Sequence, residues 1–217
     1  FSISDYGNFG ETAILPTRGL MKTPDNFSFS QGASFAFAYF TGYFALLELG
    51  SLEAYQTVLI TAGTSTTGLA AISMAKKVGA KIIATTRTSK KRDVLLNAGA
   101  DYVIATEEED LTNRVMEITN GHGADVIYDA VAGTLSEQLA KAVAVQGHWI
   151  VYGLLDTENI AAFPWMTAFI RSFRFYVYKV FDFTGNRHLG LLGNEEAFSR
   201  AKKFIAGGLA DGSFPVT

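Results

Sequence analysis

From Thr57 to Phe181 the sequence repeats one unit: a short β-branched and apolar run, a turn, then an amphipathic stretch of helical period. Strands are predicted at TVLITA (Thr57–Ala62), KIIATT (Lys81–Thr86), YVIA (Tyr102–Ala105), ADVIYDAV (Ala124–Val131), HWIVYG (His148–Gly153) and FRFYVYKVF (Phe173–Phe181). Helices are predicted between them, over Gly68–Val78, Ser89–Asn97, Leu111–Thr119, Thr134–Val145 and Trp165–Ile170, and last over Glu195–Ile205. Gly79, Gly99 and Gly147 stand where three of these helices should stop. Apolar strands alternating with helices require a parallel sheet covered on both faces. Right-handed crossovers make it doubly wound and put any ligand at the carboxyl ends of the strands. The expected fold class is α/β, with a doubly wound parallel six-stranded sheet.

Composition narrows the function classes. Hydrophobic residues make up 48% of the 217, enough for a substantial core. The net charge is −3 and no basic block occurs, which argues against a nucleic-acid footprint. The chain has no cysteine, so disulfides and cysteine-bound zinc are excluded, and a reducing compartment fits. No apolar run approaches the roughly 20 residues of a membrane span, and Thr41, Gly42 and Glu48 interrupt the greasiest stretch. A cytoplasmic protein is the expectation. The first residue is Phe and both ends read as mid-domain sequence, so a piece of a longer chain is expected.

The turn after the first strand reads TAGTSTTGLAA (Thr61–Ala71). In such sheets the start of the first helix can hold a phosphate on its free amides. Gly63 can supply the turn and Gly68 the close packing, but Ser65 and Thr66 stand where glycines are usual. Two readings of this turn stay open: a dinucleotide loop whose hydroxyls bind phosphate oxygens, or an ordinary small-residue turn with no ligand.

The second strand ends in TTRTSKKR. A loop for NAD carries an acid there for the ribose 2′-hydroxyl. Here Arg87, Lys90, Lys91 and Arg92 cluster instead, with Thr88 and Ser89 between them. Cations and hydroxyls suit a 2′-phosphate, so NADP(H) is favoured over NAD(H). Cations in a first helical turn also oppose the helix dipole, which a nearby anion would offset. The plain alternative is a solvated basic helix start.

The segment VLITAGTSTTGLAAISMAKKVGAKIIATTRTSKKRDVLLNAGADYVI resembles the cofactor domain of the zinc-independent medium-chain dehydrogenases/reductases, closest to the NADPH-dependent quinone oxidoreductases. GNFGETAILP resembles the end of that family's GroES-like catalytic β domain, and FAYFTGYFALLELG its connecting helix. The resemblance implies a Rossmann domain over residues 46–205, a truncated GroES-like remnant plus connecting helix over 1–45, and a return segment over 206–217. It implies a phosphate turn on Thr64, Ser65, Thr66, Thr67 and Gly68, and a 2′-phosphate pocket on Arg87 and Lys91. Thr106 would lie on the adenosine side, where the family often has Tyr or His. Ala130 to Ala132 would meet the ribose, and the backbone of Tyr152, Gly153, Leu154 and Leu155 would pass the nicotinamide, with Thr41 beside its ring.

The activity implied is hydride transfer from NADPH to a quinone or an α,β-unsaturated carbonyl, without metal. No catalytic protein base is assigned, since solvent can supply the second proton. None of the nine tyrosines has a lysine four residues on, so the short-chain dehydrogenase donor pair is absent. His122, His148 and His188 are given structural or solvated readings. Among the aromatics of the connecting helix, Tyr39 and Tyr43 are the candidates for the substrate wall. The apolar edge strand Phe173–Phe181 predicts a homodimer, as in the family. The rival readings are a non-catalytic NADPH-binding protein of the same fold and an enoyl-thioester reductase.

Overall fold

A computed structural model describes residues 10–12, 14–15, 17–25, 27–159 and 162–215. Helix α1 (Phe29–Tyr43) starts at a reciprocal cap: Ser28 Oγ accepts from Gln31 N, and Gln31 Oε1 accepts from Ser28 N. It runs directly into a wider-wound segment, Phe44–Leu49. Six strands follow: β1 (Thr57–Ile60), β2 (Lys81–Thr86), β3 (Tyr102–Ala105), β4 (Ala124–Asp129), β5 (Val143–Val151) and β6 (Arg174–Val177). They form one parallel sheet in the order β3-β2-β1-β4-β5-β6. The order reverses between β1 and β4, and a crevice opens at the carboxyl ends there.

Alternate strand residues feed two cores. Val58, Ile60, Ile82, Val126, Tyr128 and Ile150 pack with α1, α2 (Thr66–Val78), α3 (Arg92–Ala98) and α8 (Glu195–Ala210). Leu59, Ile83, Ile104, Ile127 and Trp149 face α4 (Leu111–Ile118) and α5 (Ser136–Ala142). Each such fully buried aliphatic side chain stabilises the fold by about 1.5–3 kcal/mol. Gly79 and Gly99 end α2 and α3 in the left-handed conformation, as the sequence predicts.

Several boundaries differ from the expectations; β1 and β4 each end two residues early, at Ile60 and Asp129. The helix expected to Val145 stops at Ala142, and β5 begins at Val143 instead of His148. Its partners jump from Ala124↔Val143 to Val126↔His148, so the intervening residues loop out, with Gln146 at φ 61°. Gly147 therefore lies inside a strand and ends no helix. The sixth strand is shorter than Phe173–Phe181: Asp182 Oδ2 accepts from Lys179 N and turns the chain into the short helix α7 (Phe181–Thr184). Helix α8 overruns Ile205 to Ala210 through two glycines. A side chain on Gly208 would strike the Phe214 ring, so that glycine serves packing and does not break the helix. Finally, Glu11, Thr12, Ile14 and Leu15 carry no strand. Residues 1–9, 13, 16 and 26 of the expected β remnant lie outside the described residues.

Candidate cofactor crevice

The crevice is built around one buried carboxylate. Asp129 ends β4, is fully buried, and is hydrogen-bonded from three directions. Its Oδ1 accepts from Thr61 Oγ1 (2.7 Å) and Val131 N (2.9 Å); its Oδ2 accepts from Trp149 Nε1 (3.1 Å). Ala132 N lies 3.2 and 3.3 Å from the two oxygens. Thr61 Oγ1 in turn accepts from Ala130 N at 2.9 Å. The carboxylate thus ties the end of β1, the turn after β4 and the body of β5 together.

Above it the turn after β5 closes on the same segment. Leu155 N donates to Ala130 O and Asp156 N to Val131 O. Asp156 accepts from Thr134 N and Oγ1 and from Asn159 Nδ2, and these bonds, the Thr134 amide first, hold its carboxyl below the usual range. Ala132 is held at φ 52° between the two acids. Ala130, Ala132, Tyr152, Gly153, Leu154 and Leu155, assigned to ribose and nicotinamide, are therefore brought side by side. A Cβ on Gly153 would sit 3.1 Å from Ala130 O.

The turn assigned to phosphate in the sequence faces this pair of loops, with Thr67 meeting Tyr152. Gly63 lies in the turn closed by Ser65 N on Ala62 O, as the sequence reading has it, while the left-handed residue is Ala62 (φ 47°). Gly68 packs as expected: a Cβ there would lie 2.6 Å from Gly63 O. The hydroxyls are divided. Ser65 caps α2, its Oγ accepting from Gly68 N at 3.0 Å. Thr67 Oγ1 lies 3.2 Å from Ser65 Oγ and 3.0 Å from the Tyr152 hydroxyl. Thr64 and Thr66 point the other way and line a cavity of about 370 Å³ with Phe35, Tyr39, Leu69 and Asn97.

Tyr152 stacks flat on Tyr128, with ring centroids 3.9 Å apart and 14° between planes. Burial pushes both phenols above their ordinary value, so both stay neutral. The Tyr128 hydroxyl makes no well-formed hydrogen bond among the described residues.

The basic end of the crevice is organised differently. Arg87 and Lys91 are exposed and enter no ion pair among the described residues. Arg92 is diverted from the predicted cluster: it donates to Val103 O (2.6 Å) and pairs with Glu109 (2.8 Å). Thr106 is brought beside this turn, since Thr106 N donates to Thr86 O and Glu107 N to Arg87 O.

The connecting-helix residues are more deeply committed than the sequence suggests. Thr41 Oγ1 donates to Phe37 O, and its carbonyl accepts from Tyr178 OH. Tyr39 lines the cavity, but its hydroxyl bonds Pro215 O at 2.9 Å. Tyr43 belongs to the core; its hydroxyl meets Glu48, which Arg200 grips with two bonds. Burial and that carboxylate push the Tyr43 phenol up to about 12. Among the described residues no three His, Cys, Asp or Glu stand together to hold a metal ion. His122 is exposed beside Asp125, and His148 is half-buried against Arg174.

The sequence reading missed Thr61, Asp129, Trp149 and Asp156. One signal was present: an acid closing an otherwise apolar strand, ADVIYD, is a charge that must find donors.

The sequence profile described as zinc-binding dehydrogenase matches residues 66–187. The chain belongs to that family. It is 37% identical over 153 residues to a quinone oxidoreductase-like protein 2 homolog of Nematostella vectensis, covering 70% of this chain and 42% of that protein. It is 34% identical over 150 residues to a phenolphthiocerol/phthiocerol polyketide synthase of Mycobacterium tuberculosis, 69% of this chain but 7% of the synthase. The Escherichia coli quinone oxidoreductase solved with NADPH superposes with a TM-score of 0.79 at 25% identity, over 92% of this chain and 59% of the other. The CurK enoyl reductase gives 0.78 at 18% identity, over 92% and 57%, which speaks for the fold alone. The chain thus spans less than half of the Nematostella relative and about three fifths of the solved reductases. The Rossmann sheet expected from the alternation is the fold these structures share.

Proposed function

We propose that this chain is the cofactor-binding part of an NADPH-dependent oxidoreductase that reduces a quinone or an α,β-unsaturated carbonyl. The observation that carries the reading is the pair Arg87 and Lys91, without ion-pair partners among the described residues, standing one strand over from a capped helix start at the switch point. Two exposed cations with no acid at the end of β2 suit a 2′-phosphate, and the first amides of α2 suit a diphosphate. NADPH, when bound, supplies a hydride from its nicotinamide C4 to an electron-poor carbon. The protein's part is to orient: the Asp129 hub presents Ala130–Ala132 to the ribose, and Tyr152–Leu155 border the nicotinamide half. No protein proton donor is assigned, and solvent supplies the second proton. No metal is proposed in the step, and this chain has no cysteine to bind one.

The relatives' names support the class: a quinone oxidoreductase-like protein, and a quinone oxidoreductase solved with NADPH. The polyketide synthase relative and the CurK enoyl reductase favour a second reading, an enoyl thioester as acceptor. A domain upstream of residue 45 would complete the substrate cleft in either case. The enzyme is further proposed to work as a cytoplasmic homodimer. The edge strand β6 exposes Val177 (73%), and α6 (Trp165–Arg171) exposes Trp165 (76%) and Phe169 (84%) beside it.

The test is NADPH oxidation by the full-length protein against a quinone, an enone and an enoyl thioester. Turnover of the first two supports the reading, and turnover of the thioester alone selects the second. No turnover together with NADPH binding would leave a non-catalytic binding protein. Light scattering that shows only monomer, unchanged by Val177→Pro, removes the dimer.

A further inference from the structure

Two hydroxyls of the turn after β1, on Ser65 and Thr67, each have a partner inside the protein. Ser65 is spent on the amide of Gly68. Thr67 reaches out of the first turn of α2 to the phenol of Tyr152, at the end of β5, 3.0 Å away. Tyr152 cannot easily swing aside. Its ring lies flat on Tyr128, which is fully buried at the end of β4, and its backbone amide is bonded to Asp129 O at 2.9 Å. The result is a clasp from Tyr128 through Tyr152 to Thr67 and Ser65, laid across the switch point from the β5 side to the α2 side.

We propose that the Tyr152 phenol is a positioning residue: through Thr67 it fixes the distance between the phosphate turn and the strand end that borders the nicotinamide. This rests on the NADPH reading above and deepens it, since the family resemblance assigned only the backbone of Tyr152 to the cofactor. The two clasped segments would hold successive parts of one ligand, the diphosphate and the nicotinamide riboside. The separation between them decides where the ring lies, and small displacements of a reacting group are costly to rate. Because the Ser65 and Thr67 hydroxyls are occupied, diphosphate binding falls on the amides of Thr66 and Thr67, which have no acceptor within the helix.

The experiment compares Tyr152→Phe, Thr67→Val, the double variant and Thr67→Ser. Phe keeps the stack on Tyr128, Val keeps the shape of Thr, and Ser keeps the hydroxyl. Affinities are measured on the full-length protein for NADPH and for adenosine 2′,5′-bisphosphate, which has the 2′-phosphate but no nicotinamide half. Each of the first two variants is expected to weaken NADPH about 3- to 10-fold, the worth of one hydrogen bond. Neither should change the bisphosphate affinity. The double variant should be no worse than either single one, and Thr67→Ser should bind as wild type. Unchanged NADPH affinity in Tyr152→Phe overturns the proposal, as does parallel weakening of both ligands or additive losses in the double variant. A wild-type protein that binds neither ligand removes the NADPH reading itself, and the clasp's role with it.

Discussion

The two halves of the crevice solve opposite problems. At the ends of β1, β4 and β5 almost every polar group has a partner within the protein: Asp129 with Thr61, Val131, Ala132 and Trp149, Ser65 with Gly68, Thr67 with Tyr152. At the ends of β2 and β3 the cations Arg87 and Lys91 stand exposed and unpaired among the described residues. One half is fixed by its own hydrogen bonds, and the other leaves its charge open to solvent. Changes on the first half should therefore register as stability or geometry, and changes on the second as affinity.

Alkaline titration should separate the halves most widely. Tyr128, Tyr152, Tyr178, Tyr39 and Tyr43 all have phenols raised above 10.0, chiefly by burial. Below pH 10 both folded and unfolded chains keep these groups protonated, so they add no pH dependence there. Above it the unfolded chain ionises first, so stability falls as pH rises through the folded values, about 12 for Tyr43. Circular dichroism on the alkaline side should show flat stability between about pH 8 and 10 and cooperative unfolding beyond it; an alkaline transition centred below pH 9 would contradict this.

Asp129→Ala comes next. It strips the acceptor from several buried donors at once and should lower unfolding free energy by about 3–5 kcal/mol. Denaturant titration checks it, and a loss under 1 kcal/mol would mean that the hub is no hub. Arg87→Ala combined with Lys91→Ala is expected to leave stability unchanged but to weaken NADPH by about 1–3 kcal/mol, with little effect on NADH. Equal loss for both dinucleotides would reassign those cations. The smallest effect belongs to Ser65→Ala, which removes the cap of α2 at a cost of about 1 kcal/mol. A thermal melt indistinguishable from wild type would show that the cap is redundant.

The halves also differ in how far the sequence revealed them. The sheet was legible because each strand carries its own apolar run, and β2 and β3 fall on the expected residues. The turn and the basic cluster were legible as local composition. What each group bonds was not. Thr67 meets Tyr152 across 85 positions and Thr61 meets Asp129 across 68, and no local pattern encodes a partner so distant. Arg92 looked like its basic neighbours until Glu109 and the Val103 carbonyl claimed it. The overrun of α8 has the same origin: Gly207 and Gly208 weaken the helix locally, but Phe214 needs the space that Gly208 leaves.

Ala62 adopts φ 47°, a backbone angle at which glycine would sit at ease. Holding an alanine there raises the energy of the native state by about 1–2 kcal/mol. The penalty falls during folding, while alanine's narrower range in the unfolded chain offsets some of it. A guest at this bend would find it already set, so association there would sacrifice less motional freedom than a floppy glycine hinge would demand.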